Sequence, residues 1–418
     1  MRRRCSHAVA DPSQAAGALR ALPAKRIIAF VADAAERWRD ADYAPRVRAT
    51  AAIETRLGYS TPVVDYALDR LFGSVTREAL EAAIASELGS IEALDGTAER
   101  RGAPAAWARG VELAVIVSSD TTIGVALVPA IFALCAKCDV VVKDRSDTLI
   151  AAFFATLAEE DPAFAHAARA REWTGGDDAA EDALLATAGA VVAFGRDETL
   201  RAIRARCGVD TRFVGFGHRV SIGRLTRDQV AALADDLAER IARDAFLYDG
   251  EGCLSLHALF VDAEGDTLQR AAAQVLAACE RVAVEFPGGA HSPQRTAAVA
   301  AYRSLAAFRA SGGHGSVLRA ADATVVVDPP PGEVLPLLPR VLAVIAAGDD
   351  AIAAAVAEQR LPVQALGVVA ADASATALAE RIGAVRVAPF GTMQDPPLAG
   401  HHGGAPRISD FVRWIDIA

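Results

Sequence analysis

Three short apolar runs set the limits on what this chain can fold into. They are Leu113-Ala114-Val115-Ile116-Val117, Val140-Val141-Val142 between Asp139 and Lys143, and Ala190-Val191-Val192-Ala193-Phe194. Each is too short for a helix and apolar on both faces, the pattern of a parallel strand buried on both sides. Each is followed by a helical pattern, at about 123–135, 148–159 and 198–207. Strands alternating with helices at this spacing predict a doubly wound α/β domain, in which ligands bind beyond the carboxyl ends of the strands.

Upstream, Pro23 to about Leu94 reads as a series of helices, with Ser74-Val75-Thr76-Arg77-Glu78 as a capped start, and residues 1–20 read as a flexible N-terminus. Downstream, a second α/β region begins past Leu254. It holds a strand at 258–261, a long helix at about 267–284, the loop Pro287-Gly288-Gly289-Ala290-His291-Ser292-Pro293 and a strand at 324–327. The tail is rich in Gly and Pro and turns apolar at Ile408, Phe411, Val412 and Trp414.

A chain of 418 residues with 52% hydrophobic content can bury more than one core. Its net charge of −10 argues against a nucleic-acid partner held by bulk electrostatics. The longest apolar run, 123–136, contains Pro129 and falls short of the ~18 residues a membrane span needs. Six cysteines without a framework pattern read as reduced thiols in a cytoplasmic protein. Cys135 and Cys138 form a single CxxC with no second pair, which reads as core or helix-end residues, and the eight histidines show no metal-ligand spacing.

Cys253 stands apart. It lies in Asp249-Gly250-Glu251-Gly252-Cys253-Leu254-Ser255, a turn with two glycines that enters a strand. Little bulk lies upstream, so a carbonyl can reach the sulfur, and glycine lets backbone N–H groups face a developing oxyanion. The bland alternative is a small buried hydrophobe. His218, flanked by Gly215 and Gly217, is either a base or a surface-loop histidine. Phe194-Gly195-Arg196-Asp197-Glu198-Thr199 runs a strand through one glycine into a helix N-terminus. That suits a diphosphate, or it is an ordinary turn capped by Asp197. Neither GxGxxG nor a P-loop lysine motif is present.

Taken in order, several passages resemble the acyl-CoA reductases of the LuxC-like fatty-acid reductase type, a branch of the aldehyde dehydrogenase superfamily. They are Leu57-Gly58-Tyr59-Ser60, Val140-Val141-Val142-Lys143-Asp144-Arg145-Ser146, Ala193-Phe194-Gly195-Arg196-Asp197-Glu198-Thr199, Gly217-His218-Arg219-Val220-Ser221, the cysteine turn, and Phe411-Val412-Arg413-Trp414. The resemblance implies an aldehyde-dehydrogenase-like α/β fold with a Rossmann-like cofactor domain, an α/β catalytic domain and a cleft between them. On this reading residues 21–110 form an N-terminal helical region, 111–247 the dinucleotide-binding domain, 248–390 the catalytic domain and 391–418 a tail.

The resemblance also implies roles. Cys253 is the nucleophile; Lys143 reaches the adenosine ribose; Gly195 and Arg196 lie under the diphosphate. Where members that prefer NAD carry a glutamate, this chain has Ser146 beside Arg145, which favours NADPH, with NADH as the alternative. The asparagine that commonly helps form the oxyanion hole is replaced by Ser119-Asp120-Thr121-Thr122, leaving Thr121 or backbone N–H groups to serve. The usual base glutamate is absent too, and counting back 35 residues from Cys253 reaches His218. The expected reaction is reduction of an acyl-CoA or acyl-carrier thioester to an aldehyde through an acyl-cysteine. Aldehyde oxidation and a non-catalytic subunit are the competing readings, and a homo-oligomer is left open.

Overall fold

A computed structural model of the protein describes residues 17–100, 102–119, 122–144, 149–172, 179–329 and 337–417. No helix among the described residues is long and apolar enough to cross a membrane. The chain divides into two compact units. One comprises Met1–Ala49, Leu71–Gly217 and Leu398–Ala418; the other comprises Thr50–Arg70 and His218–Pro397.

The first unit begins with the helix Ala24–Arg39, which buries Ala24, Ile27, Ile28, Val31, Ala34, Ala35 and Trp38. Steps of three and four residues put these side chains on one stripe. Trp38 ends the stripe by packing on Phe72, with ring centroids 5.0 Å apart, and donating its indole N–H to Thr156 Oγ1 at 3.0 Å. Two strands follow the helical region, β1 (Ala98–Arg100) and β2 (Ala103–Gly110).

The main sheet of this unit contains β3 (Leu113–Val117), β4 (Asp139–Lys143), β5 (Ala168–Arg171), β6 (Ala190–Phe194) and β7 (Arg212–Phe216). The order is β5-β4-β3-β6-β7 and every pairing is parallel. The chain winds outward from β3 in one direction, then returns to β6 and winds the other way, so the topological switch lies between β3 and β6. On one face, Leu185, Ala188, Leu200 and Ile203 close over Val115, Val191 and Ala193. Burying one large aliphatic side chain contributes about 1.5–3 kcal/mol, so this layer outweighs the weak helix propensity of the short segments that carry it.

The second unit is built on β8 (Val220–Leu225), β9 (Leu256–Val261), β10 (Ser316–Arg319), β11 (Thr324–Val327), β12 (Val341–Ala346), β13 (Val363–Val368) and β14 (Val387–Pro389). Their order is β10-β11-β12-β9-β8-β13-β14, with only the β10–β11 pair antiparallel. Gly223 and Gly367 face each other on β8 and β13. A Cβ on either would come within 2.8 Å of the Phe390 ring, so the paired glycines make the seat for that aromatic. The long helix Gly265–Glu285 buries Leu268, Ala271, Ala272, Val275, Ala278, Cys279 and Val282.

The last strand, β15 (Val412–Ile417), pairs antiparallel with β2 from Val412↔Gly110 to Ile417↔Ala105. Sequence patterning gave β1 and β2 no strand, because the alanines of β2 carry none of the β-branched or aromatic bias that marks one. The partner that pins β2 in the ladder lies some 300 residues away in the chain.

Candidate active site

The turn that carries Cys253 is held under backbone strain. Tyr248, Asp249 and Gly250 all have left-handed φ, at 57°, 55° and 74°. For the two non-glycine residues that costs on the order of 1–3 kcal/mol each. Asp249 compensates. Its Oδ1 accepts from Arg340 Nε at 2.8 Å and its Oδ2 from the Gly289 N–H at 3.1 Å, while its carbonyl accepts the Arg340 N–H at 3.0 Å. Both partners of this ion pair are buried. Gly250 is required at its position, since a Cβ there would lie 2.8 Å from the Ala245 carbonyl oxygen.

Beyond it the chain closes tightly. Ser255 Oγ, fully buried, accepts from the Gly252 N–H at 3.1 Å and from Gln394 Nε2 at 2.9 Å. Anchored on both sides, the turn leaves Cys253 exposed at its tip. The backbone N–H groups of Cys253 and Leu254 face the sulfur, and the Arg219 guanidinium bears on it. All three favour the thiolate. The protein packed around the group outweighs them and pushes the thiol pKa up, so the resting residue carries its proton at neutral pH.

The strand register supplies the rest of this site. β8 and β9 are parallel neighbours, so the residues preceding each strand emerge at the same edge of the sheet. His218 and Arg219 precede β8 and Cys253 precedes β9. The register shift between Ser221 and Ile222 leaves His257 of β9 as the extra, unpaired residue, while Ser221 stays paired with Leu256. The Ser221 hydroxyl donates to the Cys253 carbonyl at 2.7 Å, and its N–H donates to His257 Nδ1 at 3.2 Å. Burial lowers the His257 pKa to about 4, with the charge of His218 adding to the shift. His257 is therefore neutral, with its proton on Nε2. His218 itself is exposed and Arg219 half-buried. Sequence reasoning selected Cys253 and His218. It passed over Arg219, although it lies in the same motif, and over Ser221 and His257, whose parts depend on a bulge that no sequence pattern marks.

In the first unit Lys143, Gly195 and Arg196 lie at the carboxyl ends of their strands. Gly195 follows β6, with its N–H donating to the Phe216 carbonyl at 3.2 Å. Arg196 is the cap of the helix Asp197–Arg206 and offers no side-chain hydrogen bond to its amino end. Asp197 is thus the first helical residue and does not act as the cap. Its carboxylate packs against Gly217, where a Cβ would lie 2.6 Å from Oδ1. A parallel-sheet switch point, together with a helix N-terminus that has no side-chain cap, is the donor set a dinucleotide diphosphate needs, and the site fits such a group.

Lys143 ends β4 but is largely buried, its Nζ 3.0 Å from Glu181 Oε1. Glu181 also takes Arg206 NH1 at 2.9 Å. Glu181 reads in the sequence as an ordinary acidic residue in a helix's first turn, and nothing there signals the pairing. Thr121, Arg145 and Ser146 lie outside the described residues, as does Asp120. Cys135 and Cys138 are fully buried and burial pushes both thiols up to about 12, as suits core residues. His402 stacks on Phe216, with ring centroids 4.2 Å apart, and burial lowers its pKa to about 4.

The fold is that of the aldehyde dehydrogenase superfamily. Proline utilization A of Bradyrhizobium japonicum superposes with a TM-score of 0.72 at 18% identity over 98% of this chain, which spans 45% of that longer protein. An NAD-dependent benzaldehyde dehydrogenase from Corynebacterium glutamicum gives 0.70 at 15% identity, covering 97% of this chain and 87% of that one. The 1-pyrroline-5-carboxylate dehydrogenase of Thermus thermophilus gives 0.66 at 13% identity, covering 97% and 83%. No curated protein matches the sequence. The sequence does match the acyl-CoA reductase (LuxC) family across residues 19–414, and the chain belongs to that family.

Proposed function

We propose that the protein reduces an acyl-CoA, or an acyl-carrier thioester, to an aldehyde through a covalent acyl group on Cys253, with NADPH as reductant. The observation that carries this reading is the exposed thiol at the tip of a turn anchored on both sides, with two backbone N–H groups facing its sulfur. His218, at the same sheet edge, takes the thiol proton. The sulfur's electron pair attacks the acyl carbon, the bond to the CoA sulfur breaks, and CoA leaves with a proton. Backbone N–H groups and the Thr121 hydroxyl receive the charge on the acyl oxygen. When bound, the cofactor supplies the hydride that makes the acyl carbon an aldehyde. With that hydride and a proton from water the acyl-cysteine becomes a thiohemiacetal, whose C–S bond then breaks to release the aldehyde and the Cys253 thiol.

Gly195 and Arg196 hold the diphosphate, Lys143 lies toward the ribose, and Ser146 with Arg145 leaves room and charge for a 2′-phosphate. Absence of the base glutamate from the sequence supports reduction over oxidation to an acid, because thioester reduction needs no activated water. The five described cysteines are free thiols, which supports a reducing compartment such as the cytoplasm. The test is stoichiometry: incubation with a fatty acyl-CoA and NADPH should release CoA, aldehyde and oxidised cofactor in equal amounts. Release of CoA and fatty acid without cofactor oxidation would refute the reading.

A further inference from the structure

We propose that Arg219 is the charge-stabilising residue of the cysteine site, holding the sulfur's negative charge once the proton has gone. The inference rests on the reading of Cys253 as nucleophile and adds a residue to which that reading gives no part. Arg219 sits one residue before β8, and Cys253 three residues before its parallel neighbour β9. The bond from Ser221 Oγ to the Cys253 carbonyl ties the two approaches together at 2.7 Å. The sheet register thus brings the backbones of Arg219 and the cysteine turn side by side, and the charge of Arg219 acts on the sulfur.

Arg219 is also uncommitted. Three other half-buried or buried arginines of this unit are paired with carboxylates, Arg340 with Asp249, Arg224 with Asp349 and Arg243 with Glu285, while Arg303 and Arg386 are taken up by hydroxyl or carbonyl oxygens. Among the described residues Arg219 has no hydrogen bond or ion pair, and it is the charged side chain whose field reaches the sulfur. An unpaired guanidinium kept from full solvation beside a thiol is more useful to an anion than to the resting neutral group, because its attraction grows with the charge that forms. His218 and His257 face the same sheet edge. His257 is held neutral by burial, so it supplies no cation at neutral pH. In the step that Arg219 assists, the S–H bond breaks, the proton passes to the base, and the electron pair remains on sulfur.

The experiment is site-resolved alkylation of Cys253 by iodoacetamide across pH 6 to 10, read by peptide mass spectrometry on the full chain without cofactor. Arg219→Met should slow alkylation at pH 7.5 by about three- to tenfold and move the profile to higher pH, and Arg219→Lys should restore most of the rate. The lysine variant separates charge from packing. If the Arg219→Met profile overlays the wild type, or Arg219→Lys is as slow as Arg219→Met, the proposal is overturned. Failure of the underlying reading looks different: the wild-type protein would form no acyl adduct on Cys253, whatever the alkylation profiles show.

Discussion

The two units solve the same problem, presenting polar groups at the edge of a parallel sheet, at opposite ends of their strands. In the first unit Lys143 ends β4 and Gly195 and Arg196 follow β6, at the carboxyl ends where doubly wound sheets bind ligands. In the second, His218, Arg219 and Cys253 precede β8 and β9, at the amino ends. The carboxyl-end site relies on backbone geometry, a glycine and a helix N-terminus, and its lysine is paired with Glu181. The amino-end site draws on other devices. It is assembled instead by a strained turn, a buried ion pair and a bulge. A carboxyl-end site can therefore be found from topology, whereas an amino-end site must be found from its chemistry.

The sharpest way to break this comparison is at the sulfur. Cys253→Ala should lower acyl-CoA reduction by at least about a thousandfold while changing stability by less than about 0.5 kcal/mol, since the side chain is exposed. Turnover assays and chemical denaturation check the two halves. Next comes the ion pair that offsets the strain. Asp249→Ala takes from the buried Arg340 its closest carboxylate, leaving only Asp322 at 3.5 Å and the Phe286 carbonyl, and should cost about 3 kcal/mol of stability. A variant as stable as the wild type would mean that the turn does not depend on this pair.

A pH series sharpens the picture of the second unit. His257 has its folded pKa lowered to about 4 from 6.5, so its contribution to stability is full above pH 6.5 and is lost as pH falls toward 4. The whole shift is worth up to about 3 kcal/mol. Asp244 runs the other way. Burial raises its pKa from 3.8 to about 7, so its contribution is full below pH 4 and is lost as pH rises through 7. Replacing Asp244 with Asn should therefore leave a protein whose stability climbs more steeply between pH 4 and 7 than that of the wild type. Parallel curves would contradict this. The smallest effect is expected in the first unit, where Ser146→Glu should shift preference by about tenfold toward NADH, measured as the ratio of dissociation constants. A wild type that already prefers NADH would remove the basis for the Ser146 assignment.

The sequence was most legible where physics is local. Strands β3, β4 and β6 show their ends directly because apolar runs buried on both faces stop abruptly at polar turn residues. The cysteine turn announced itself through its glycines. What could not be read depended on distant partners. β2 needs β15 to be a strand, Lys143 meets a glutamate 38 residues along the chain, and Ser221 finds Cys253 and His257 only across a bulged pair of strands. Arg219 was in plain view, but an arginine's significance lies in whether a carboxylate answers it, and that is a property of the fold.

The central claim is that Cys253 carries the acyl group. Incubating the protein with a long-chain acyl-CoA in the absence of reduced cofactor, then measuring intact mass and mapping the modified peptide, tests it most directly. The expected result is a mass gain of one acyl group per chain on the peptide holding Cys253, removed by hydroxylamine and by reduced cofactor. No adduct, or an adduct on Cys207 or another cysteine, would contradict it.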